Sequence, residues 1–251
     1  MDHHERRRHL LTLIHESGSQ SPAALARHFH VSVQTIRADI RALSERGLVL
    51  RRQGEVLPFP GRENDDFERR AIINIDGKRR IAALAQELIE DHQVLFLGTG
   101  TTVEQVALRL GVHQDLQVIT NNLHAAMALC HQSCEVVVCG GRIRRRDKDV
   151  IGGDAWRFFQ RYRADVGIVS VGGMDDDGRL YDYNDDEVMA REALFAHAAR
   201  RVLVLDRTKF ATRLCCTAGR LDDFDAVITD QALPDQLRSP LAARGVRFLS
   251  A

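Results

Sequence analysis

The sequence predicts an α/β chain in two parts, an N-terminal winged helix-turn-helix followed by an open, mostly parallel α/β sheet domain. Three observations carry that expectation. Residues 1–56 hold three helical patterns and then a short basic hairpin, residues 57–67 have the Pro, Gly and acidic composition of a connector, and from Lys78 onward short apolar runs alternate with helical stretches. Strands alternating with helices point to βαβ units and a parallel sheet.

Composition bounds the class. The chain has 251 residues, 44% hydrophobic and 28% charged, longer than the roughly 100–200 residues of one domain and apolar enough for a core. Its longest apolar runs, such as 94–97 and 136–139, fall far short of the roughly 20 residues of a membrane helix. The charged residues 1–8 lead into no apolar signal segment, so a cytoplasmic protein without a membrane span is expected. Five cysteines argue for free thiols in a reducing compartment rather than a disulfide framework. Net charge is zero, 35 basic against 35 acidic residues, yet residues 1–56 carry nine Arg and six acids, which makes the head +3 and the remainder −3.

Spacing and caps justify each element of the head. Between Glu5 and Glu16, Leu10, Leu11, Leu13 and Ile14 share one side, and Gly18 stops the pattern. Ser21 before Pro22 reads as an N-cap with Pro at the first helical position, and Leu25, Ala26 and Phe29 supply the apolar face. His30, Val31 and Ser32 turn the chain. Ser32 caps a third helix in which Val33, Ile36, Ile40 and Leu43 recur at helical spacing, with Gln34, Thr35, Arg37, Ala38 and Arg41 on other faces until Gly47. Residues 48–52 read as a strand and Gln53-Gly54 as its turn, a wing that carries Arg51 and Arg52 toward a nucleic-acid backbone.

An arginine-bearing helix after a tight turn suits a DNA major groove. Gln34 can pair with adenine, Arg37 and Arg41 with guanine or phosphate, and Thr35 lies among the base readers. The Ser32 hydroxyl can join the amides of its helix at a phosphate. The bland alternative is a three-helix bundle for protein contacts, which has no need of a basic third helix followed by a basic hairpin.

In the second part a helix is expected over 78–89, from Ile81, Leu84, Ala85, Leu88 and Ile89. Strand-like runs follow at 94–97, 116–119, 136–139, 166–171, 202–205, 226–229 and 246–249, with helices from Thr102, Asn122 and Asp154, through Glu187 to Ala199, and near Leu237. Ligands of such sheets sit outside the carboxyl ends of the strands, and the residues there are distinctive. Gly98-Thr99-Gly100-Thr101-Thr102 can hold a phosphate on backbone amides and hydroxyls. The other ends carry Thr120-Asn121-Asn122, Gly140-Gly141-Arg142, Gly172-Gly173-Met174-Asp175 and Asp206-Arg207-Thr208-Lys209.

Bland alternatives stand beside these. Gly and Thr after a strand often make only a turn. Arg144-Arg145-Arg146 reads as a solvated face, and Glu187 with Arg191 as a surface pair worth about a few tenths of a kcal/mol. Cys130, Cys134 and Cys139 with His124 and His131 lack C-x-x-C spacing, so no metal is expected, and no cofactor. Cys215-Cys216 reads as small apolar packing.

The stretches 21–26, 31–40 and 47–51, with Gly100-Thr101-Thr102, Thr120-Asn121-Asn122-Leu123, Gly140-Gly141, Gly173-Met174-Asp175, Glu187 with Arg191, and 206–210, resemble the DeoR family of bacterial repressors over nearly the whole chain. The resemblance implies a winged helix over 1–57, a linker over 58–75 and, over 76–251, an effector domain similar in fold to ribose-5-phosphate isomerases. It further implies a phosphorylated sugar or polyol as effector, with glycerol 3-phosphate favoured. The chain departs from the family pattern at Ala38, at Gln53-Gly54-Glu55, and at Gly98, Arg191, Thr208 and Ala211.

The expected function is repression of a carbohydrate or polyol catabolic operon by a homodimer or homotetramer on double-stranded operator DNA, relieved by the effector. Lys209 and the Gly100, Thr101, Thr102 loop are expected to hold phosphate, with Asn121, Gly140, Gly141, Asp175 and Glu187 near the hydroxyls. The alternative is a sugar-phosphate isomerase or deaminase-like enzyme carrying a DNA-binding head, with Glu187 and Asp175 as acid and base.

Overall fold

In a computed structural model, residues 2–45, 49–52, 54–58 and 67–251 are described. The expected helix stop at Gly47, the wing-tip Gln53 and most of the connector, 59–66, lie outside the described residues. The chain forms two compact units, residues 1–75 and 76–251.

The first unit contains α1 (His3–Ser17), α2 (Pro22–His28), α3 (Val33–Glu45), β1 (Val49–Arg52), β2 (Glu55–Pro58) and α4 (Phe67–Ile72). Ser21 Oγ accepts the Ala24 N–H at 3.1 Å, which fixes the start of α2 with Pro22 in its first turn. The apolar positions meet in one core, with Leu10, Leu11 and Ile14 against Leu25, Ala26, Ile36, Ile40, Leu43, Val49, Val56 and Ile73. Val33, expected on the apolar face, is 37% exposed, because the first residue of α3 lies beyond the core it starts. β1 and β2 pair antiparallel with Arg52 opposite Glu55, and Gly54, at φ +82°, supplies the left-handed turn residue. Gln20 and Val56 exchange backbone hydrogen bonds of 2.9 and 2.8 Å, so the wing is paired to the α1–α2 connection. Within the stretch expected as a linker, α4 buries Phe67.

The second unit runs α5 (Ile75–Gln86), β3 (Val94–Leu97), α6 (Thr101–Ala107), β4 (Leu116–Thr120), α7 (Leu123–Leu129), β5 (Cys134–Val138), α8 (Gly152–Phe159), β6 (Ala164–Val169), β7 (Gly173–Met174), β8 (Arg179–Asp182), α9 (Asp185–Ala196), β9 (Ala198–Leu205), β10 (Cys216–Arg220), β11 (Ala226–Thr229), α10 (Asp235–Ala243) and β12 (Arg247–Ser250). Seven strands form one sheet in the order β12-β11-β9-β6-β3-β4-β5, every neighbouring pair parallel. Chain order runs outward from β3 through β4 to β5, then restarts at β6 and runs the other way. The switch point lies between β3 and β6, where the crevice of a doubly wound sheet opens. Both faces are covered. Leu95 and Leu97 enter one core with Ile81 and Val103, and Phe96 enters the other with Phe159 and Leu203, which is why these strands read as unbroken apolar runs.

Two differences from the expected elements have local causes. The helix expected to reach Ala199 ends at Ala196, and β9 begins at Ala198, because the ladder to β6, Ala164 opposite Ala198, captures those residues. A second sheet, β10-β8-β7, is antiparallel. It escapes the periodicity because β7 is a pair of residues and β8 four, too short to display alternation.

Candidate ligand crevice and nucleic-acid interface

In the head, Ser32 Oγ accepts the Thr35 N–H at 3.0 Å and lies 2.8 Å from the Thr35 hydroxyl, so these two side chains together begin α3. Gln34, Arg37 and Arg41 are exposed along it, and Arg51 is exposed on β1. Arg52 ends β1, and its side chain lies outside the described residues. Glu55, which would repel phosphate, accepts the Ser19 hydroxyl. One buried charge of the head escaped the sequence reading. Asp39, 2% exposed, receives Arg6 and Arg7, so two of the head's arginines serve the buried face of α3. Its signal was position, three residues after Ile36 and four before Leu43, on the buried stripe.

In the sensor unit, the chain turns out of β3 at Gly98, whose N–H bonds Ile168 O on β6 at 2.9 Å. Gly100 adopts φ +114°, and a Cβ there would stand 3.5 Å from Ser170, so the loop passes close to the end of β6 in a conformation side chains disfavour. Thr101 and Thr102, 5% and 2% exposed, start α6, where first-turn amides have no intrahelical acceptor.

At the end of β9, Asp206 accepts the Thr208 N–H at 3.1 Å and the Thr208 hydroxyl at 2.6 Å. Burial pushes the Asp206 carboxyl up, but Lys78, Lys209 and Thr208 outweigh it and hold the group below the usual carboxylate value. Lys78 also acts on Glu104 of α6, whose carboxyl burial raises. Lys78, itself 2% exposed, thus acts on carboxyl groups at the end of β9 and in the helix that follows β3. The sequence reading missed it. Its signal was a lysine three and four residues before the buried Ile81 and Ala82, on the core face of α5.

After β4, Thr120 Oγ1 donates to Leu97 O at 2.7 Å. Asn122 Oδ1 caps α7 by accepting His124 and Ala125 N–H, and its Nδ2 donates to Gly98 O and Gly100 O, each at 3.3 Å. Asn122 thus ties the end of β4 to the Gly-Thr loop. Asn121 donates from Nδ2 to Val150 O at 2.7 Å, while its Oδ1, buried, has no hydrogen-bond partner among the described residues. Gly140 is exposed after edge strand β5, and Gly141 at φ +146° packs against Asp154.

Arg144 corrects the sequence reading. Only Arg145 and Arg146 of that run are exposed. Arg144 donates from Nε and Nη2 to both oxygens of Asp149, at 2.9 and 2.7 Å, lies 3.1 Å from Asp147, and pairs with Glu187. The Glu187–Arg191 surface pair is likewise overturned: both residues are buried, and Arg191 pairs with Asp182, which accepts the Gly172 N–H at 2.7 Å. Burial, with Asp182 nearby, raises the Glu187 carboxyl against the pull of Arg144. Asp175 has partners of its own. Its Oδ1 accepts Asp177 and Arg179 N–H at 3.0 and 2.9 Å and its Oδ2 accepts the Tyr181 hydroxyl at 2.9 Å, a carboxylate closing the β7–β8 turn. Cys215 and Cys216 do not pack as core residues, since Cys215 is exposed and Cys216 half-buried.

A winged helix-turn-helix with an exposed arginine-bearing third helix, followed by a doubly wound domain with small and hydroxyl residues at the carboxyl ends of its strands, defines a ligand-responsive DNA-binding regulator. The family model described as DeoR-like helix-turn-helix domain matches residues 6–57, and that described as DeoR C terminal sensor domain matches residues 73–231. The chain belongs to the DeoR family of transcriptional repressors. It is 37% identical over 233 residues to the HTH-type transcriptional repressor CsqR of Escherichia coli, covering 92% of this chain and 89% of that one. It is 33% identical over 231 residues to the glycerol-3-phosphate regulon repressor of Escherichia coli, covering 92% of each. These relatives are named as regulators, not enzymes. Among solved structures, ribose 5-phosphate isomerase A of Methanocaldococcus jannaschii matches with a TM-score of 0.41 and 18% identity, over 55% of each chain. Among the described residues no helix is long and apolar enough to cross a membrane.

Proposed function

We propose that this protein represses a carbohydrate or polyol catabolic operon and leaves its operator when a phosphorylated sugar or polyol, glycerol 3-phosphate first among candidates, fills the switch-point crevice. The observation that carries this reading is the pair Lys78 and Lys209 acting on Asp206, with Lys78 also acting on Glu104 in the helix opened by Thr101 and Thr102. The ammonium groups of buried Lys78 and half-buried Lys209, with first-turn helix amides that have no intrahelical acceptor, supply the charge and donors that a phosphate needs. Asn121, with a buried acceptor left open, is suited to a hydroxyl donor of the ligand. The name of the 33%-identical relative, the glycerol-3-phosphate regulon repressor, supports the choice of first ligand.

In the head, Gln34, Thr35 and Arg37 read bases, while Ser32, Arg41, Arg51 and Arg52 hold phosphates. A homodimer or homotetramer presents two heads to two half-sites, and an effector coupling of about 1–3 kcal/mol changes operator affinity roughly 5- to 150-fold. The test is a thermal-shift screen of phosphorylated polyols and sugars, followed by operator binding with and without the ligand that stabilises. A ligand at about 100 times its dissociation constant adds about 2.7 kcal/mol. Operator affinity indifferent to every phosphorylated ligand overturns the reading.

A further inference from the structure

Cys215 and Cys216 are adjacent at the entry to β10, with Sγ atoms 3.5 Å apart. The Cys215 thiol is exposed and donates to Tyr183 O at 3.0 Å, and Cys216 stands opposite Asp182 in the β8–β10 ladder. Both residues are therefore held against the segment that joins β8 to α9.

A vicinal dithiol can close on itself or on a third atom. Neighbouring Cα atoms lie about 3.8 Å apart, inside the lower limit of about 4.4 Å for unstrained disulfides, and a direct bond requires the sulfurs to approach to about 2.05 Å. A bridging atom fits the gap as it stands. With sulfur bonds of about 2.3 Å, a separation of 3.5 Å sets an angle of about 100° at the bridge, the shape of a pyramidal trivalent centre and tighter than a tetrahedral one. The hydrogen bond to Asp185, with Cys215 beside it, pushes the Cys216 thiol up to about 12.

We propose that Cys215 and Cys216 form a capture site for a thiophilic trivalent metalloid, such as arsenous acid or an organic arsenoxide. With arsenous acid, two S–As bonds form and two As–OH bonds break. Each departing hydroxyl takes one thiol proton and leaves as water, and the third hydroxyl stays on arsenic. Arsenic remains trivalent, so no oxidant or reductant takes part. With an organic arsenoxide the oxide oxygen takes both thiol protons and leaves as a single water. The site adjoins the β6–β7 connection, because Asp182, opposite Cys216, accepts the Gly172 N–H at 2.7 Å. It does not depend on which effector the crevice takes.

The test uses the reduced full-length protein and phenylarsine oxide at one equivalent, read by intact mass and by thiol titration. The expected result is one arsenic adduct and a fall of two in titratable thiols from the five present. Cys215→Ala and Cys216→Ala each weaken capture at least about tenfold by removing ring closure, while a Cys130→Ala, Cys134→Ala double variant keeps it. Cys215→Ser is a second probe at this exposed position. An unchanged thiol count, or an adduct that survives Cys215→Ala and Cys215→Ser, overturns the proposal. So does peroxide-driven disulfide formation in a protein that takes up no arsenoxide.

Discussion

Arg6 donates from Nε to the Asp39 carboxylate at 2.7 Å, and Arg7 donates to its other oxygen at the same distance. The first helix of the head is thereby locked to the buried side of the helix whose outer side carries Gln34, Arg37 and Arg41. Removing Asp39 leaves Arg6, with a side chain 12% exposed, charged and without that partner, a loss that costs about 3 kcal/mol in buried settings. Asp39→Ala is expected to lower head stability by about that amount and to weaken operator binding, although Asp39 itself lies on the buried side of α3. Chemical denaturation paired with operator titration checks both, and a variant that binds operator normally would show that α3 needs no such lock.

Arg37 and Arg51 are both exposed but have different expected roles. Arg37→Ala should cost about 1–3 kcal/mol on the cognate operator and relax discrimination at one base pair. Arg51→Ala should weaken cognate and random DNA alike and reduce the slope of log affinity against log salt by about one. Titrations at several salt concentrations separate the two, and identical behaviour of the variants would refute the division of labour.

Lys209→Ala should raise the dissociation constant for a phosphorylated effector at least about tenfold, the size of one charge-assisted contact, and leave DNA binding in the absence of effector unchanged. The repressor would then stay on its operator at ligand concentrations that release the parent chain. Isothermal titration with the ligand found by thermal shift measures the first effect, and undiminished affinity would remove Lys209 from the phosphate site.

Asp206 and Glu187 carry opposite pH signatures. Despite its burial, Asp206 is held low by Lys78, Lys209 and Thr208. The unfolded chain binds that proton more tightly, so the stability Asp206 contributes is present above about pH 4 and is lost as pH falls through the lowered value. Glu187 is raised by burial and by Asp182. The folded state binds its proton more tightly, so that contribution is present below about pH 4.3 and is lost as pH rises through the raised value. Denaturant titrations across this range should show Asp206→Asn flattening the acid-side loss and Glu187→Gln flattening the loss on the other side. The reverse assignment would contradict the charge arrangement.

Gly141 has φ +146°, and a Cβ there would lie 2.6 Å from Asp154 Oδ2 and 2.9 Å from Asp154 Cβ. Gly141→Ala is expected to destabilise the sensor unit by about 1–3 kcal/mol. Adding Asp154→Ala should recover the part due to the carboxyl group and leave the contact with its Cβ and the backbone part, a non-additivity readable in a double-mutant cycle.

The legible features of this chain were those set within a few residues. Ser21 and Ser32 cap the helices that follow them, Ile36, Ile40 and Leu43 face a core at helical spacing, and the apolar run of β3 lies in a sheet covered on both faces. Caps and periodicity depend on neighbours in sequence, so local residue types carry the information. The Gly100 to Thr102 loop was legible for the same reason: it follows a strand and opens a helix.

Charge partners were another matter. Glu187 and Arg191 look like a helical surface pair at spacing four, yet Glu187 pairs with Arg144, 43 residues earlier, and Arg191 with Asp182. Asp175 accepts hydrogen bonds from Asp177, Arg179 and Tyr181 within its own turn, and Lys78, which drew no role from its position in the sequence, is buried and acts on Asp206. The sequence alone determined the two-part plan, the exposed basic recognition helix and the small-residue loops at strand ends. Only tertiary structure decided which of the ionisable groups meet, because a buried charge must be matched by whatever opposite charge the fold brings within reach, and the parallel sheet brings together residues that the chain order keeps far apart.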